Sequence, residues 1–164
     1  MLVIVEGIDG SGKTTLCNNL KTRGCDVIRK ERGDKNLSLE EMYYYLVTDK
    51  IIVIDRAILT TWAYRIFDGT KLDADDYCFS EALRILANAK VIYCNNKNAY
   101  SWSMRRGETN IKSFDDSERL RNIYDVIIGT IKLYNLSTVF EYDFEKDSVE
   151  DVIKFIQGGS NNAV

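Results

Sequence analysis

The chain has 164 residues, of which 45% are apolar and 29% charged, a balance that fits one substantial core and excludes both a long disordered stretch and a membrane-embedded class. Its 22 basic and 25 acidic residues leave a formal charge of −3, so it lacks the overall positive field that draws proteins to nucleic acid or lipid, while a local basic cleft remains compatible with it. There is no histidine, which removes every Ser-His and Cys-His nucleophile scheme. Cys17, Cys25, Cys78 and Cys94 lack CxxC pairing and are expected to be reduced, mostly buried thiols. The chemistry left runs on lysine, arginine, carboxylates and a hard metal ion.

In chain order, short β-branched runs alternate with stretches of helical period, the pattern of β/α units around a parallel sheet. The first strand is expected at Leu2 to Glu6; its apolar run is too short for a signal peptide or a membrane span, which points to the cytoplasm. A glycine-rich loop and a helical stretch follow, then a strand at Asp26 to Lys30 and a polar loop at Arg32 to Asn36 carrying Gly33. Ser38 with Glu41 three positions on is a capping box, and it opens a helix bearing Tyr43, Tyr44 and Tyr45. Three adjacent helical positions point three ways, so at most one or two of these tyrosines can face one pocket.

Ile51 to Asp55 is the third strand, Asp73 before Ala74 has the look of another cap, and Lys90 to Cys94 is the fourth strand. Arg105 to Lys112, with Gly107, is a second polar loop of the kind that holds ligands. The stretch Ser117 to Leu133 sets Leu120, Ile123, Tyr124, Ile127, Ile128 and Ile131 on one side, predicting a helix packed on the sheet. Thr138 to Tyr142 is the fifth strand, Asp147 with Glu150 predicts a last helix start, and the tail from Gly158 to Asn162 is expected to fray. With no repeat, no low-complexity block and no proline, residues 1–164 are expected to form a single domain.

Gly7-Ile8-Asp9-Gly10-Ser11-Gly12-Lys13-Thr14 is a complete GxxxxGK[ST] pattern, between a strand and a helix as that pattern requires. Glycines let backbone N–H groups turn inward, Lys13 is placed to meet β/γ-phosphate oxygens, and Thr14 offers its hydroxyl to magnesium at a helix N-terminus. Asn96-Lys97-Asn98-Ala99 approaches the guanine-binding Asn-Lys-x-Asp, but alanine cannot accept the two guanine donors, so this segment reads as a turn and ATP as the donor. Ile51 to Asp55 ends in a carboxylate suited to magnesium at the sheet edge. Arg56, next in the chain, carries a planar fork suited to an acceptor phosphate.

These motifs together resemble the thymidylate kinase family. Val5-Glu6-Gly7-Ile8-Asp9-Gly10-Ser11-Gly12-Lys13-Thr14-Thr15 is similar to its first motif, and Asp55-Arg56-Ala57-Ile58-Leu59-Thr60-Thr61-Trp62-Ala63-Tyr64 resembles DRxxxSxxAY with Thr60 in place of serine. Arg105-Arg106-Gly107, followed by Phe114, Arg119, Arg121 and Tyr124, looks like its lid and the helix after it, with the lid at about residues 99–114. The chain departs from the family in the short span Glu31 to Lys50 before the third strand, and in lacking the lid's Asp-Arg, with Asn110 and Lys112 nearby.

The resemblance implies an α/β, three-layer P-loop fold with a five-stranded parallel sheet and a short lid. It implies ATP and magnesium, the phosphates held by Gly7, Gly10, Ser11, Gly12, Lys13, Thr14 and Thr15, and the metal by Thr14 and Asp55. It places Arg56 on the acceptor phosphate, Asp9 near the sugar 3′-hydroxyl and magnesium, Tyr64 against the deoxyribose and Thr61 near the base edge. Because Gly10 offers no side chain, the transition-state cation is expected from Arg105 or Arg106. The implied reaction is transfer to a deoxynucleoside monophosphate, dTMP first; a kinase of another deoxynucleotide or of a nucleotide within DNA, and a binding module without kinase activity, stand as rivals. Partners expected are small nucleotides and a possible homodimer, with nucleic acid not favoured and no membrane.

Overall fold

The computed structural model describes residues 1–29, 38–72, 77–107 and 111–158, with the side chains of residues 77 and 78 left aside. The elements run β1 (Leu2–Glu6), α1 (Lys13–Thr22), β2 (Asp26–Arg29), α2 (Leu39–Val47), β3 (Ile52–Asp55), α3 (Ile58–Phe67), α4 (Tyr77–Asn88), β4 (Lys90–Cys94), α5 (Ala99–Arg105), α6 (Phe114–Leu133), β5 (Thr138–Tyr142) and α7 (Val149–Gln157). The five strands form one parallel sheet in the order β2-β3-β1-β4-β5. All five lie where the residue pattern puts them.

Strand alternation divides the sheet into two packed faces. Leu2, Ile4, Ile52, Ile54, Val91 and Tyr93 belong to one core with residues of α2, α3, α4 and α6, whereas Val3, Val5, Val53, Ile92 and Cys94 belong to the other with residues of α1 and α7. Both faces of β1 are fully buried, so its run is continuously apolar rather than alternating. Each such side chain contributes about 1.5–3 kcal/mol on burial. Glu6 continues the face of Leu2 and Ile4, and Asp55 that of Val53, and this parity decides where their carboxylates go.

Helix starts refine the sequence picture by local capping. The Ser38 and Glu41 box forms as expected. The last helix is instead capped by Ser148, with Asp151 rather than Glu150 as the reciprocal partner, because the Ser148 hydroxyl also reaches the Asp151 carboxylate at 2.6 Å. The expected helix from Ser117 starts earlier, at Phe114, because the Ser113 hydroxyl accepts the Asp116 N–H. Leu120, Tyr124, Ile127, Ile128 and Ile131 face the core as anticipated, with Ile123 partly buried.

The polar loop expected from Arg105 has a helical lead-in, since Arg105 closes α5. Asn96 is buried; its amide donates to Asp143 at 2.6 Å and its carbonyl oxygen accepts the Asn98 N–H, so the Asn96 to Ala99 segment is the turn that opens α5. Cys17, Cys25 and Cys94 are free, buried thiols, and the Cys78 side chain lies outside the described residues. The same holds for the expected cap at Asp73, the loop at Arg32 to Asn36, Asn110, and the tail beyond Gly158. No helix among the described residues is long and apolar enough to cross a membrane.

Candidate nucleotide site

The loop between β1 and α1 closes around its own backbone. Gly7, Gly10 and Gly12 all have positive φ, and residues 7–13 are buried while Thr14 and Thr15, in the first turn of α1, are exposed. Gly10 is the most constrained: a Cβ there would sit 1.9 Å from the Ala99 carbonyl oxygen and 2.8 Å from the Ser103 nitrogen, so the loop and α5 can touch only through a residue without a side chain. A Cβ at Gly12 would lie 2.6 Å from the Phe144 ring.

α1 begins without a side-chain cap. Its first N–H groups are therefore free for an anion, with the positive end of the helix dipole behind them. Lys13 folds back over the loop, its ammonium donating to the Ile8 carbonyl at 2.5 Å and to the Ser11 hydroxyl at 3.3 Å. Burial lowers its pKa to about 8, and the nearby Arg56 charge adds to the shift against the pull of Asp9. The loop thus holds a cation at a real desolvation cost, the arrangement that a polyphosphate would relieve.

Asp55, at the end of β3, is buried on the α1 side of the sheet. Arg29, its registered partner on β2, reaches its Oδ2 from both Nε and a terminal nitrogen at 2.9 Å. Its other oxygen, Oδ1, is buried without a hydrogen-bond partner among the described residues. A buried carboxylate oxygen left open is a costly state unless a cation or its water meets it. That oxygen suits a magnesium ion carried in by a nucleotide, with the exposed Thr14 in the first turn of α1 as a second candidate oxygen. Magnesium commonly takes one or two protein oxygens and completes its shell with water and the substrate's phosphates.

On the other side of the sheet edge, Arg56 adopts φ 70°, a left-handed conformation that costs a non-glycine residue about 1–2 kcal/mol. Its guanidinium pairs closely with the buried Asp9 carboxylate of the loop, and it donates a hydrogen bond to the Tyr64 phenol. Burial chiefly pushes the Tyr64 pKa up to about 12, Asp9 assisting. Arg56 is held charged by Asp9 against its own burial. The structure therefore brings Asp9, Arg56 and Tyr64 together beside the phosphate loop, at the carboxyl end of the sheet where ligands of such folds sit.

Other sequence candidates are placed less centrally. Thr61 is exposed, and its hydroxyl turns back to the Ala57 carbonyl at 3.3 Å. Trp62 packs on Phe79, ring centroids 4.9 Å apart, as a core-facing residue. Of the three tyrosines on α2, Tyr43 donates to Glu81, Tyr45 packs against the core and Tyr44 is 68% exposed. Arg105 and Arg106 are exposed at the end of α5, Arg105 lying over the Trp102 ring at 5.0 Å. Lys112 is also exposed. Arg119 donates to the Phe67 carbonyl and Arg121 pairs with Glu118, so these two cations brace α6.

Residue patterns did not single out Glu6, Arg29 or a bonding role for Tyr124. Glu6 is fully buried, accepting the N–H groups of Ala57 at 2.9 Å and Leu59 at 3.1 Å and the Thr60 hydroxyl. Burial raises its pKa, while those donors oppose the rise. The one available signal was a charged residue ending an otherwise apolar buried strand.

No family model matches the chain, and no curated protein matches it. Solved structures do. The YorR protein of Bacillus subtilis, solved in complex with phosphorylated GDP, is 18% identical over 96% of this chain and 94% of its own, with a TM-score of 0.67. Deoxyadenosine kinase from M. mycoides with bound dATP is 19% identical over 96% and 99% of the two chains, TM-score 0.62. Thymidylate kinase from Candida albicans is 14% identical over 96% and 89%, TM-score 0.57. The chain has the fold of the P-loop nucleotide kinases.

Proposed function

We propose that the chain is an ATP-dependent kinase of a deoxynucleoside monophosphate, with dTMP the first candidate acceptor. The observation that carries this reading is the juxtaposition of two separate phosphate-directed elements at one sheet edge. One is the glycine loop with Lys13; the other is Arg56, held next to it by Asp9 and Tyr64. A protein that only bound or switched on a nucleotide would need the first and not the second.

In the reaction, the acceptor's own phosphate oxygen attacks the γ-phosphate of ATP in line. It is already deprotonated, so no general base is required and the lack of histidine is no obstacle. The α1 N–H groups and the Lys13 ammonium hold and neutralise the β- and γ-oxygens, with Gly7, Gly10, Ser11, Gly12, Thr14 and Thr15 shaping the cradle. Arg56 turns its fork from Asp9 to the acceptor phosphate, freeing Asp9 toward the sugar 3′-hydroxyl. Tyr64 packs on the deoxyribose and Thr61 lies at the base edge. The segment from α5 to about residue 114 acts as the lid, bringing Arg105 or Arg106 over the transferring group and excluding water. Thr14 and Asp55 would hold magnesium, which when bound would supply further neutralisation of the phosphate oxygens.

The test is ADP release with ATP and magnesium against the four deoxynucleoside monophosphates, their ribose counterparts, the free deoxynucleosides and a short single-stranded oligonucleotide. Acceptor-dependent turnover with dTMP, above the other lanes, is expected. Turnover only with deoxynucleosides or only with the oligonucleotide would replace the acceptor in this reading, and background ADP release in every lane would leave a binding module.

A further inference from the structure

We propose that Glu6 is the positioning residue that sets Arg56 for the acceptor, acting through the start of α3; this rests on the reading of Arg56 as the acceptor's arginine. The helix begins at Ile58 after Ala57, which provides no side-chain cap, so its first N–H groups need an acceptor from elsewhere. Glu6 reaches across from β1 to supply it: Oε1 takes the N–H groups of Ala57 and Leu59, and Oε2 takes the Thr60 hydroxyl. The Thr60 oxygen lies 2.9 Å from the phenol of Tyr124, which is fully buried and stacks on Tyr93.

Arg56 is thereby pinned on both sides by consecutive residues of β1. Its own N–H donates to the Val5 carbonyl at 3.0 Å, and the next N–H along the chain, that of Ala57, goes to the Glu6 carboxylate. A left-handed residue other than glycine persists only where its surroundings over-determine it, and these two attachments do so. Because Glu6 directly precedes Gly7, the same strand end sets both the phosphate loop and the acceptor's arginine. The carboxylate touches no reacting group; its effect on transfer passes through Arg56.

The experiment compares Glu6→Gln, Thr60→Val, Thr60→Ser and Arg56→Ala for steady-state turnover with ATP and dTMP, or with whichever mononucleotide turns over in the panel. ATP affinity and thermal midpoint are measured on the same samples. The expected result is an acceptor KM raised about tenfold in Glu6→Gln and in Thr60→Val, with ATP affinity within about threefold of the parent and with Thr60→Ser restoring the parent value. A Glu6→Gln protein whose acceptor KM is unchanged, or whose ATP affinity and acceptor KM worsen together with its thermal midpoint, overturns the proposal. Should Glu6→Gln not fold, the Thr60 pair decides it: equal acceptor KM in Thr60→Val and Thr60→Ser overturns it. If Arg56→Ala itself leaves acceptor use intact, it is the reading of Arg56 that fails, and the Glu6 proposal falls with it.

Discussion

Asp55 and Arg56 are neighbours in the chain whose side chains turn to different sides of the sheet edge. Asp55 lies on the α1 side, on the core face shared with Cys17 and Val53, with Arg29 on its Oδ2; Arg56 turns to the α3 side, toward Asp9 and Tyr64. The first side is built largely from backbone, in a crowded loop where glycines are obligatory. The second is built from side chains gathered from β1, α3 and α6. On the proposed reading, Asp55 ends β3 toward the donor's side and Arg56, turned by its left-handed backbone, faces the acceptor, so adjacent residues approach the transferring group from two directions.

The largest effect should separate the crowded glycine loop from an uncrowded turn elsewhere. Gly10→Ala forces a Cβ into the α5 backbone, and it should abolish nucleotide binding and lower the thermal midpoint steeply. Gly107→Ala, at φ 70° with nothing within 4 Å among the described residues, should cost only the backbone strain of about 1–2 kcal/mol and leave nucleotide affinity unchanged. Calorimetric melting and titration with a fluorescent ATP analogue check both. Equal effects would mean that close approach of α5 does not shape the cradle.

Arg56→Ala comes next. On the proposed division of labour it should lower transfer more than a hundredfold, since it removes a charged acceptor contact. ATP affinity should stay within about threefold. Initial rates paired with ATP titration decide; loss of both together would merge the two sides into one site. Arg105→Ala and Arg106→Ala should act on kcat instead, one of them lowering it about tenfold to a hundredfold with both KM values little changed, because an exposed arginine that closes late contributes only in the transition state.

The two sides also differ in how far the sequence revealed them. The glycine loop was legible as a structural element, because it is one contiguous run whose backbone geometry follows from glycine positions, and the strands bordering it were legible because buried parallel strands are short, β-branched and bounded by turns. Asp55 could be picked out as a strand-ending carboxylate, but its Arg29 partner could not, since strand order is a tertiary fact that puts β2 beside β3. Glu6 needed the same knowledge: its partners lie more than fifty residues away. The helix starts at Ser113 and Ser148 were missed by one to four residues because neighbouring serines and acids offer several near-equivalent caps, and only the folded loop chooses among them.

The gentlest test of the crowded side is proton linkage at Lys13. Burial holds its pKa near 8, below the usual 10.5 of a lysine, so between those values the free protein has shed a proton that the unfolded chain keeps. Fold stability from this group should therefore rise as pH climbs from about 8 toward 10.5, the reverse of a paired lysine. Phosphates need the ammonium, so nucleotide binding above pH 8 should take up one proton, with affinity falling about tenfold per pH unit there and flat below pH 7. Titration calorimetry in buffers of different ionisation enthalpy reads the proton directly, and Lys13→Met should abolish it. Binding at pH 9 without proton uptake would show that the loop keeps its lysine charged in the free protein, which would make the cradle less desolvated than its buried glycines and Lys13 imply.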